Sequence, residues 1–210
     1  MSVTVTGDVA GDRSSVRNWD VLLIGGASGT GKTSISYQLA RHFDVGITEI
    51  DDFQVILEHM TTPEQQPVLH YWRTHPEAMQ LPPESIVDLT VSVAETMAPA
   101  IEAVIQNHLE SNTPVLLEGD YLLPATAART NYGAVPNGGR VRAAFLIETD
   151  EAQIATNYSL REPAGGKADL RSRVSFLFGS WLRTEAQRYG VPVVEARPWD
   201  SLLDRVIASI

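Results

Sequence analysis

The sequence predicts an α/β protein built on a parallel β-sheet. Three observations lead to this prediction. Short continuous apolar runs recur along the chain, segments with helical spacing of apolar residues separate them, and a glycine-rich segment follows the first apolar run. A continuous apolar run is typical of a strand that is buried on both faces. Strands that alternate with helices favour parallel pairing through right-handed crossovers.

The first predicted elements lie between the N-terminus and Ile50. Residues 1–18 are polar and aperiodic, and we expect a flexible leader ahead of a single domain at 19–210. Trp19 to Gly25 is the first apolar run and predicts a buried strand. Ser34 to Phe43 has helical spacing, and Gly46 to Ile50 predicts a second short strand.

The middle of the chain is predicted to be mostly helical. Residues 53–83 contain five prolines and predict short helices and loops. Glu84 to Leu109 is the longest segment with helical spacing, and Pro99 within it predicts a kink or a break near Ala98. Val115 to Glu118 predicts the third strand, and Val141 to Ile147 predicts the fourth.

The last third of the chain predicts three helices and one strand. Asp150 to Tyr158 is helical in pattern, and a mobile loop is expected from Arg161 to Arg173 because proline and glycine interrupt it. Phe176 to Tyr189 predicts a helix and Val191 to Val194 the fifth strand. Asp200 to Ile210 predicts the closing helix.

Length and composition exclude several classes of protein. The 210 residues include 43% hydrophobic and 20% charged residues, which suits one compact domain. The net charge of −10 argues against nucleic acid or an anionic membrane surface as the main partner. The chain has no apolar run long enough for a membrane span or a signal peptide, so we expect a cytoplasmic protein. The absence of cysteine excludes disulfides and thiolate catalysis.

The glycine-rich segment matches the phosphate-binding pattern G-x-x-x-x-G-K-[ST] in full. Its glycines allow backbone N–H groups to converge on phosphate oxygens at the start of a helix. The lysine is expected to reach the β- and γ-phosphates of ATP, and the threonine hydroxyl to bind Mg²⁺. The predicted nucleotide-binding residues are Gly26, Ala27, Ser28, Gly29, Thr30, Gly31, Lys32, Thr33 and Ser34.

Four carboxylates follow two of the predicted strands. Asp51 and Asp52 come after the second strand, and Glu118 and Asp120 come at the end of the third. Ligands of open parallel sheets gather at the carboxyl ends of the strands. We assign Glu118 to Mg²⁺ through water, and either Asp52 or Asp51 to the proton of the substrate hydroxyl. Capping of the following helix is the alternative role for each aspartate.

Charge is distributed unevenly along the chain. Residues 44–120 contain fourteen acidic residues and one basic residue, whereas residues 161–188 contain six basic and three acidic residues. The basic segment predicts either recognition of an anion or an ordinary solvated helix face. We expect Arg161 and one of Arg171 or Arg173 to neutralise charge on the transferred phosphoryl group.

These motifs resemble the small P-loop kinases. GGASGTGKTS followed by the Asp-Asp-Phe of residues 51–53 looks like the uridine kinase pattern, and LLEGDYLLP at 116–124 is similar to a segment of 2-phosphoglycerate kinase-like proteins. With the arginine-bearing segment, the resemblance covers most of residues 20–200. One difference is Asp120, which stands where a histidine is expected in the 2-phosphoglycerate kinases.

The resemblance implies a P-loop NTPase fold. This fold has a five-stranded parallel sheet of order 2-3-1-4-5 with helices on both faces. It further implies an acceptor-side helical region at 53–110, a lid at 160–188 and an adenine site beside Arg197 and Pro198.

The acceptor side of the site is less sharply indicated. Residues 70–77 contain two histidines, two aromatic residues and Arg73, the one basic residue of the acidic segment. This cluster predicts contacts with a polar or ring-bearing substrate, or a packed corner of the fold. The negative balance argues against a highly anionic acceptor unless Arg73 and the lid supply positive charge. The predicted substrate residues are Asp52, Phe53, Tyr71, Arg73 and Asp120.

Together these features predict a Mg²⁺-dependent kinase. It would transfer the γ-phosphoryl group of ATP to a hydroxyl of a small metabolite or nucleoside, and act as a monomer or homodimer without nucleic acid or membrane partners. A nucleotide-binding regulatory ATPase is one alternative, although the chain has no N-K-x-D guanine motif. An antibiotic-modifying phosphotransferase is the other alternative.

Overall fold

The computed structural model describes residues 17–161 and 168–210. The predicted leader at 1–18 therefore lies almost entirely outside the described residues. The strands of the described residues are β1 (Val21–Gly26), β2 (Gly46–Glu49), β3 (Val115–Gly119), β4 (Asn131–Tyr132), β5 (Val135–Pro136), β6 (Val141–Ile147) and β7 (Val193–Glu195). Their helices are α1 (Lys32–Phe43), α2 (Ile50–Met60), α3 (Tyr71–Thr74), α4 (Pro83–Ser111), α5 (Pro124–Ala127), α6 (Glu151–Arg161), α7 (Ala168–Tyr189) and α8 (Leu202–Ser209).

The main sheet has five parallel strands in the order β2-β3-β1-β6-β7. Counted along the chain without the two short strands β4 and β5, this is the predicted order 2-3-1-4-5. β1 lies at the centre, where Val21 pairs in register with Val115 of β3 and Val141 of β6. The predicted fold class is confirmed, and all five carboxyl ends meet at one edge of the sheet.

Helices cover both faces of this sheet because the apolar side chains of β1 alternate between two cores. Val21 and Leu23 belong to one core, which Met97 of α4 and Phe178 of α7 complete. Leu22 and Ile24 belong to the other core, which includes Ile35 of α1 and Val206 of α8. Residues of β1 are at most 1% exposed where they enter these cores. The apolar run therefore reads as a doubly buried strand, as its composition predicts.

Helix α4 is continuous from Pro83 to Ser111, so the predicted break near Ala98 does not occur. Pro99 is exposed, and its side of the helix faces away from the core. Met97 and Ile101 on the opposite side are fully buried. Burial of this face outweighs the backbone hydrogen bond that Pro99 cannot donate.

Two local features differ from the sequence-based expectation. Strands β4 and β5 form an antiparallel hairpin, too short for a periodic pattern, around the fully buried Tyr132. Helix α7 starts at Ala168, so Arg171 and Arg173 lie on a helix rather than on the expected loop. Its first turns are held by packing against α6, including the hydrogen bond between Tyr158 and Ser175 at 2.8 Å. None of the described helices is long and apolar enough to span a membrane.

Candidate active site

The phosphate-binding loop lies between the end of β1 and the start of α1. Gly26 and Gly31 adopt φ values of 146° and 91°, which L side chains rarely adopt. A Cβ added at Gly31 would lie 2.6 Å from the ring of Trp199, and one at Gly26 would lie 2.3 Å from the carbonyl oxygen of Leu146. Glycine is therefore required at both positions by backbone conformation and by space. The loop directs backbone N–H groups and the N-terminus of α1 towards the same point.

Lys32 is the first residue of α1 and is 6% exposed. Its Nζ donates to Oδ1 of Asp120 at 2.5 Å and to the carbonyl oxygen of Ala27 at 3.1 Å. Burial lowers the pKa of the ammonium, but the charge and hydrogen bond of Asp120 more than offset this, so the pKa is raised overall. Lys32 therefore stays protonated, and in this structure its partner is a carboxylate.

Glu118 and Thr33 bring two oxygen ligands together beside the loop. Thr33 Oγ1 donates a hydrogen bond to Glu118 Oε1 at 2.8 Å. Glu118 is 3% exposed, and this burial raises the pKa of its carboxyl despite the opposing effects of Lys32 and Thr33. Hydroxyl and carboxylate oxygens suit Mg²⁺, which binds few protein ligands and takes the rest from phosphate and water. The described residues contain no cluster of three or more His, Cys, Asp or Glu residues that could hold a metal ion.

The two adjacent aspartates of α2 have different positions. Both side chains are exposed, but Asp51 lines the cavity above the phosphate-binding loop and Asp52 does not. Desolvation raises the pKa of the Asp51 carboxyl, the charge of Asp120 raises it further, and Lys32 opposes both. Water still reaches Asp51 because the cavity is open. Of this pair, the structure therefore groups Asp51 with Lys32 and Asp120.

A cavity of about 690 Å³ contains this group of residues. Arg197 and Trp199, from the loop after β7, lie on its wall, and Arg197 Nε donates to Glu148 Oε2 at 3.3 Å. The lining also includes residues that the sequence did not indicate as site residues, among them Glu49, Asn157 and Leu160. Asn157 Nδ2 donates to the carbonyl oxygen of Gly29 at 2.8 Å and so connects α6 to the phosphate-binding loop. Only the folded chain brings this helix to the loop.

A second cavity of about 320 Å³ adjoins the first. Both cavities share Ser28 and Asp120 among their lining residues. The second cavity lies among the loop after β3, α4, α7 and the segment around Trp72. Its lining is Ser28, Trp72, Met79, Ile86, Thr90, Asp120, Tyr121, Tyr158, Arg171, Val174, Ser175 and Phe178.

The three candidate arginines of the basic segment are separated. Arg161, the last residue of α6, lines the first cavity. Arg171 lines the second cavity, and its guanidinium lies 4.3 Å from the ring centroid of Tyr158. Arg173 lines neither cavity, and its NH1 donates to Glu151 Oε2 at 3.0 Å. Of Arg171 and Arg173, Arg171 alone lines one of the two cavities, and it is the second cavity rather than the one at the phosphate-binding loop.

Several known proteins with a similar sequence or fold are kinases. No protein-family model matches the chain. The chain is 22% identical over 202 residues to a 2-phosphoglycerate kinase from Methanothermobacter thermautotrophicus strain Delta H, covering 90% of this chain and 65% of that protein. A sugar kinase from Janibacter sp. HTCC2649 superposes with a TM-score of 0.50 and 18% identity, over 91% of this chain and 94% of that one. A shikimate kinase from Acinetobacter baumannii, in complex with shikimate, gives a TM-score of 0.50 at 12% identity, with the same coverages.

The chain has the fold of the small P-loop kinases.

Within this kinase fold, several predicted substrate residues lie away from the second cavity. Tyr71 stacks on His75 with ring centroids 4.3 Å apart and faces a different cavity. Arg73 NH1 lies 3.8 Å from Glu58 Oε2 at a fourth cavity, beside His70. Trp72, between them in sequence, is the member of this segment that lines the second cavity. Successive residues of the short helix α3 point in different directions, so only one of the three faces the site.

Two further predicted residues have structural contacts in the kinase fold. Phe53 packs against the core on the α4 side of the sheet. Pro198 does not line the first cavity, and its carbonyl oxygen accepts a hydrogen bond from Arg205 NH2 at 2.7 Å. Its neighbours Arg197 and Trp199 form the cavity wall instead. Of the predicted substrate residues, Asp120 is the one shared by both cavities.

Proposed function

We propose that this protein is a Mg²⁺-dependent kinase that transfers the γ-phosphoryl group of ATP to a hydroxyl of a small metabolite. The observation that carries the proposal is the meeting of two cavities at Asp120. One cavity holds a complete phosphate-binding loop, and the other is a separate space beside it. A kinase needs this arrangement because donor and acceptor must be bound side by side. The kinases of similar sequence and fold support the same reaction class.

ATP would occupy the first cavity with its phosphates at the loop. Backbone N–H groups of the loop and the ammonium of Lys32 bind the phosphate oxygens. Arg197 and Trp199 flank the base, and Arg161 contributes positive charge at the edge of the same cavity. Thr33 and Glu118 would hold Mg²⁺, which when bound adds positive charge at the phosphates.

Asp51 is the group that we assign as the general base. The hydroxyl oxygen of the acceptor forms a bond to the γ-phosphorus, and the bond from that phosphorus to the β–γ bridging oxygen breaks. ADP leaves with the bond electrons, and the hydroxyl proton moves to the carboxylate of Asp51. Its raised pKa makes this carboxylate a stronger base than an ordinary aspartate. The ammonium of Lys32 stabilises the charge on the transferred group.

Acceptor dependence tests the proposed reaction. Purified protein with ATP and Mg²⁺ is screened against hydroxylated metabolites and nucleosides, and mass spectrometry identifies phosphorylated products. A kinase hydrolyses ATP slowly alone and consumes it rapidly once its acceptor is present. Rapid turnover that no acceptor changes would contradict the proposal and favour a regulatory ATPase.

Lys32→Ala tests the role of the loop. We expect phosphoryl transfer to fall by about 10³-fold or more, since the variant removes a preorganised charge at the phosphates. Circular dichroism and thermal melting check that the fold persists. Arg188→Ala is the matched control, because it removes an exposed cation that pairs with Glu185 on the surface of α7. Unchanged transfer by Lys32→Ala would overturn the proposal.

Asparagine variants of Asp51 and Asp52 test the assignment of the base. Asp51→Asn is expected to lower kcat by about 10²–10⁴-fold, since it removes the proton acceptor. Asp52→Asn removes the same charge from the first turn of α2 outside the cavity, and is expected to change kcat less than threefold. Steady-state kinetics with saturating ATP measure both. A larger loss in Asp52→Asn, or equal mild losses, would contradict the assignment.

A further inference from the structure

We propose that the second cavity binds a hydroxy acid with a single anionic group and a compact apolar body, and that Arg171 binds the anionic group. This inference rests on the proposed kinase function and specifies the class of acceptor. It gives Arg171 a role in acceptor selection rather than in nucleotide binding.

Tyr158 lies between the second cavity and Gly29 of the phosphate-binding loop. Its side chain is 4% exposed, and its hydroxyl is hydrogen bonded to Ser175 of α7 at 2.8 Å. One edge of the ring lies against Gly29, where an added Cβ would be 3.4 Å from Cε2. The ring is thus held between the loop and α7, and it forms a rigid wall of the second cavity.

Two guanidinium groups lie over this one ring, and they belong to different cavities. Arg171 is 4.3 Å from the ring centroid of Tyr158 and lines the second cavity. Arg161 is 5.2 Å from the same centroid and lines the first. Contact with an aromatic face holds a guanidinium in place while its N–H donors stay at its edge. Each cavity therefore has an arginine of its own, held by the same tyrosine.

Arg171 is the one cation among the described residues that line the second cavity, and Asp120 is the one anion. Asp120 forms an ion pair with Lys32 at the border with the first cavity. A single guanidinium matches a single carboxylate, to which it can donate two parallel hydrogen bonds. Arg173 and Arg73, which could have supplied further positive charge, lie elsewhere beside Glu151 and Glu58. The cavity therefore suits one negative charge rather than several.

The remaining lining suits a compact carbon skeleton with polar substituents. Trp72, Ile86 and Phe178 present aromatic and aliphatic surface, and Thr90, Tyr121 and Ser175 carry hydroxyls. The volume of about 320 Å³ is at the lower end of the range for small-molecule sites. An acceptor whose anionic group lies at Arg171 would present its hydroxyl towards Asp120, where the two cavities meet.

Matched acceptor pairs test the inference directly. Glycerate, gluconate and shikimate are each compared with the corresponding carboxamide, alongside 2-phosphoglycerate and uridine as representatives of other acceptor classes. Binding is measured by calorimetry in the presence of Mg²⁺ and a non-hydrolysable ATP analogue, and transfer is measured with ATP. We expect at least one carboxylate to bind 10-fold or more tightly than its amide, 2-phosphoglycerate and uridine.

Variants of Arg171 test whether this residue binds the anionic group of the acceptor. Arg171→Gln is expected to weaken carboxylate binding at least 10-fold, to leave binding of the amide unchanged and to alter the KM for ATP less than threefold. Arg171→Lys keeps the charge without the planar fork and is expected to restore only part of the affinity. Arg183→Gln is the matched control, because Arg183 lies on the same helix and pairs with the exposed Glu195.

Three outcomes of the binding experiments and of the Arg171 variants would overturn the inference. These are tightest binding of 2-phosphoglycerate or uridine, no binding of any carboxylate at millimolar concentration, and a rise in the KM for ATP in Arg171→Gln with acceptor binding unchanged. If instead the proposed kinase reaction is wrong, the experiments give a different result from these three. Arg171-dependent binding of a carboxylate without any transfer would contradict the kinase reaction and leave the acceptor site in place. Transfer to neutral alcohols alone would support the kinase and contradict this site.

Discussion

At the scale of single residues, the site concentrates three carboxylates around one buried ammonium. Asp51, Glu118 and Asp120 all act electrostatically on Lys32. Burial raises the pKa of the Asp51 and Glu118 carboxyls, so their charged forms cost stability in the folded protein. This cost is expected where a site is arranged to receive Mg²⁺ and phosphate instead of to stabilise the empty protein.

Glu118→Gln tests this cost. The folded-state pKa of Glu118 is raised, so its ionisation destabilises the folded protein above that pKa and has no effect once the pH falls below its ordinary value. We expect a rise in Tm of about 1–3 °C at pH 7.5, shrinking towards zero near pH 4. Differential scanning calorimetry without nucleotide measures the change.

Glu148→Gln is the matched control for this prediction. Glu148 is buried to a similar extent, but it accepts hydrogen bonds from the backbone N–H groups of Thr149 and Asp150 and from Arg197. The substitution is expected to lower the free energy of unfolding by about 1–3 kcal/mol, because these three donors lose a charged acceptor. A lower Tm for Glu118→Gln at pH 7.5 would contradict the explanation.

Gly31→Ala tests the close packing of the loop. The left-handed backbone and the contact with Trp199 exclude a Cβ at this position. We expect ATP affinity to fall at least 10-fold and Tm to decrease, measured by calorimetry and thermal melting. Gly46→Ala is the control, since an added Cβ there would meet no atom within 4 Å. Equal ATP affinities and equal Tm values for the two variants would show that the loop can shift to accommodate a Cβ at residue 31.

At the scale of elements, α6 and α7 determine how the two cavities are divided. Asn157 of α6 contacts the loop at Gly29, and Tyr158 next to it bonds to α7. α7 in turn places Phe178 and Leu182 in the core against the sheet. The part of the expected lid from 168 to 188 is therefore a helix that packs against the sheet. Residues 162–167, including Lys167, lie outside the described residues.

Pro99→Ala tests the helix that passes through this proline. The exposed Pro99 lies inside α4, and alanine would restore a backbone donor without leaving a cavity. We expect Tm to rise by about 2–4 °C, although alanine also makes the unfolded chain more flexible. Pro83→Ala is the control at the first turn of α4, where proline costs nothing, and is expected to change Tm by less than 1 °C. Destabilisation by Pro99→Ala would show that the proline shapes the packing of α4.

At the scale of the whole molecule, the uneven charge of the chain maps onto the two cavities. Much of the acidic segment at 44–120 lies on α2 and α4, and its strand-end carboxylates meet the loop at Lys32. The basic segment contributes Arg161 to one cavity and Arg171 to the other. The charges are thus divided between the two cavities, and Asp120 lies where the cavities meet.

Asp120→Asn tests electrostatic coupling between the sites. Lys32 must leave Asp120 when it binds phosphate, and the carboxylate repels the phosphates as well. We expect the variant to bind ATP about 3–10-fold more tightly by calorimetry, a gain of about 0.6–1.4 kcal/mol. Asp20→Asn is the control, because Asp20 pairs with Arg140 at the opposite end of β1. Weaker ATP binding by Asp120→Asn would show that Asp120 holds Lys32 in its binding position.

The predictable part of this protein is the part whose signal is contiguous in sequence. The strands at 115–118 and 141–147 were placed within one residue of their observed bounds, because burial on both faces needs an unbroken apolar run. The loop from Gly26 to Thr33 was recognisable for the same reason. The hairpin around Tyr132 has strands of two residues, too short for any pattern, and α7 begins among glycine and proline that predict a loop.

The sequence by itself determined the phosphate-binding loop, the order of strands and helices, and the gathering of acids at the ends of two strands. Tertiary structure decided which member of each candidate set faces the cavities, with Asp51, Arg171 and Trp72 inside and their neighbours turned away. The physical reason is that successive helical residues point about 100° apart. A shift of one residue therefore moves a side chain out of a site, and only the packing of each helix against the sheet sets that rotation.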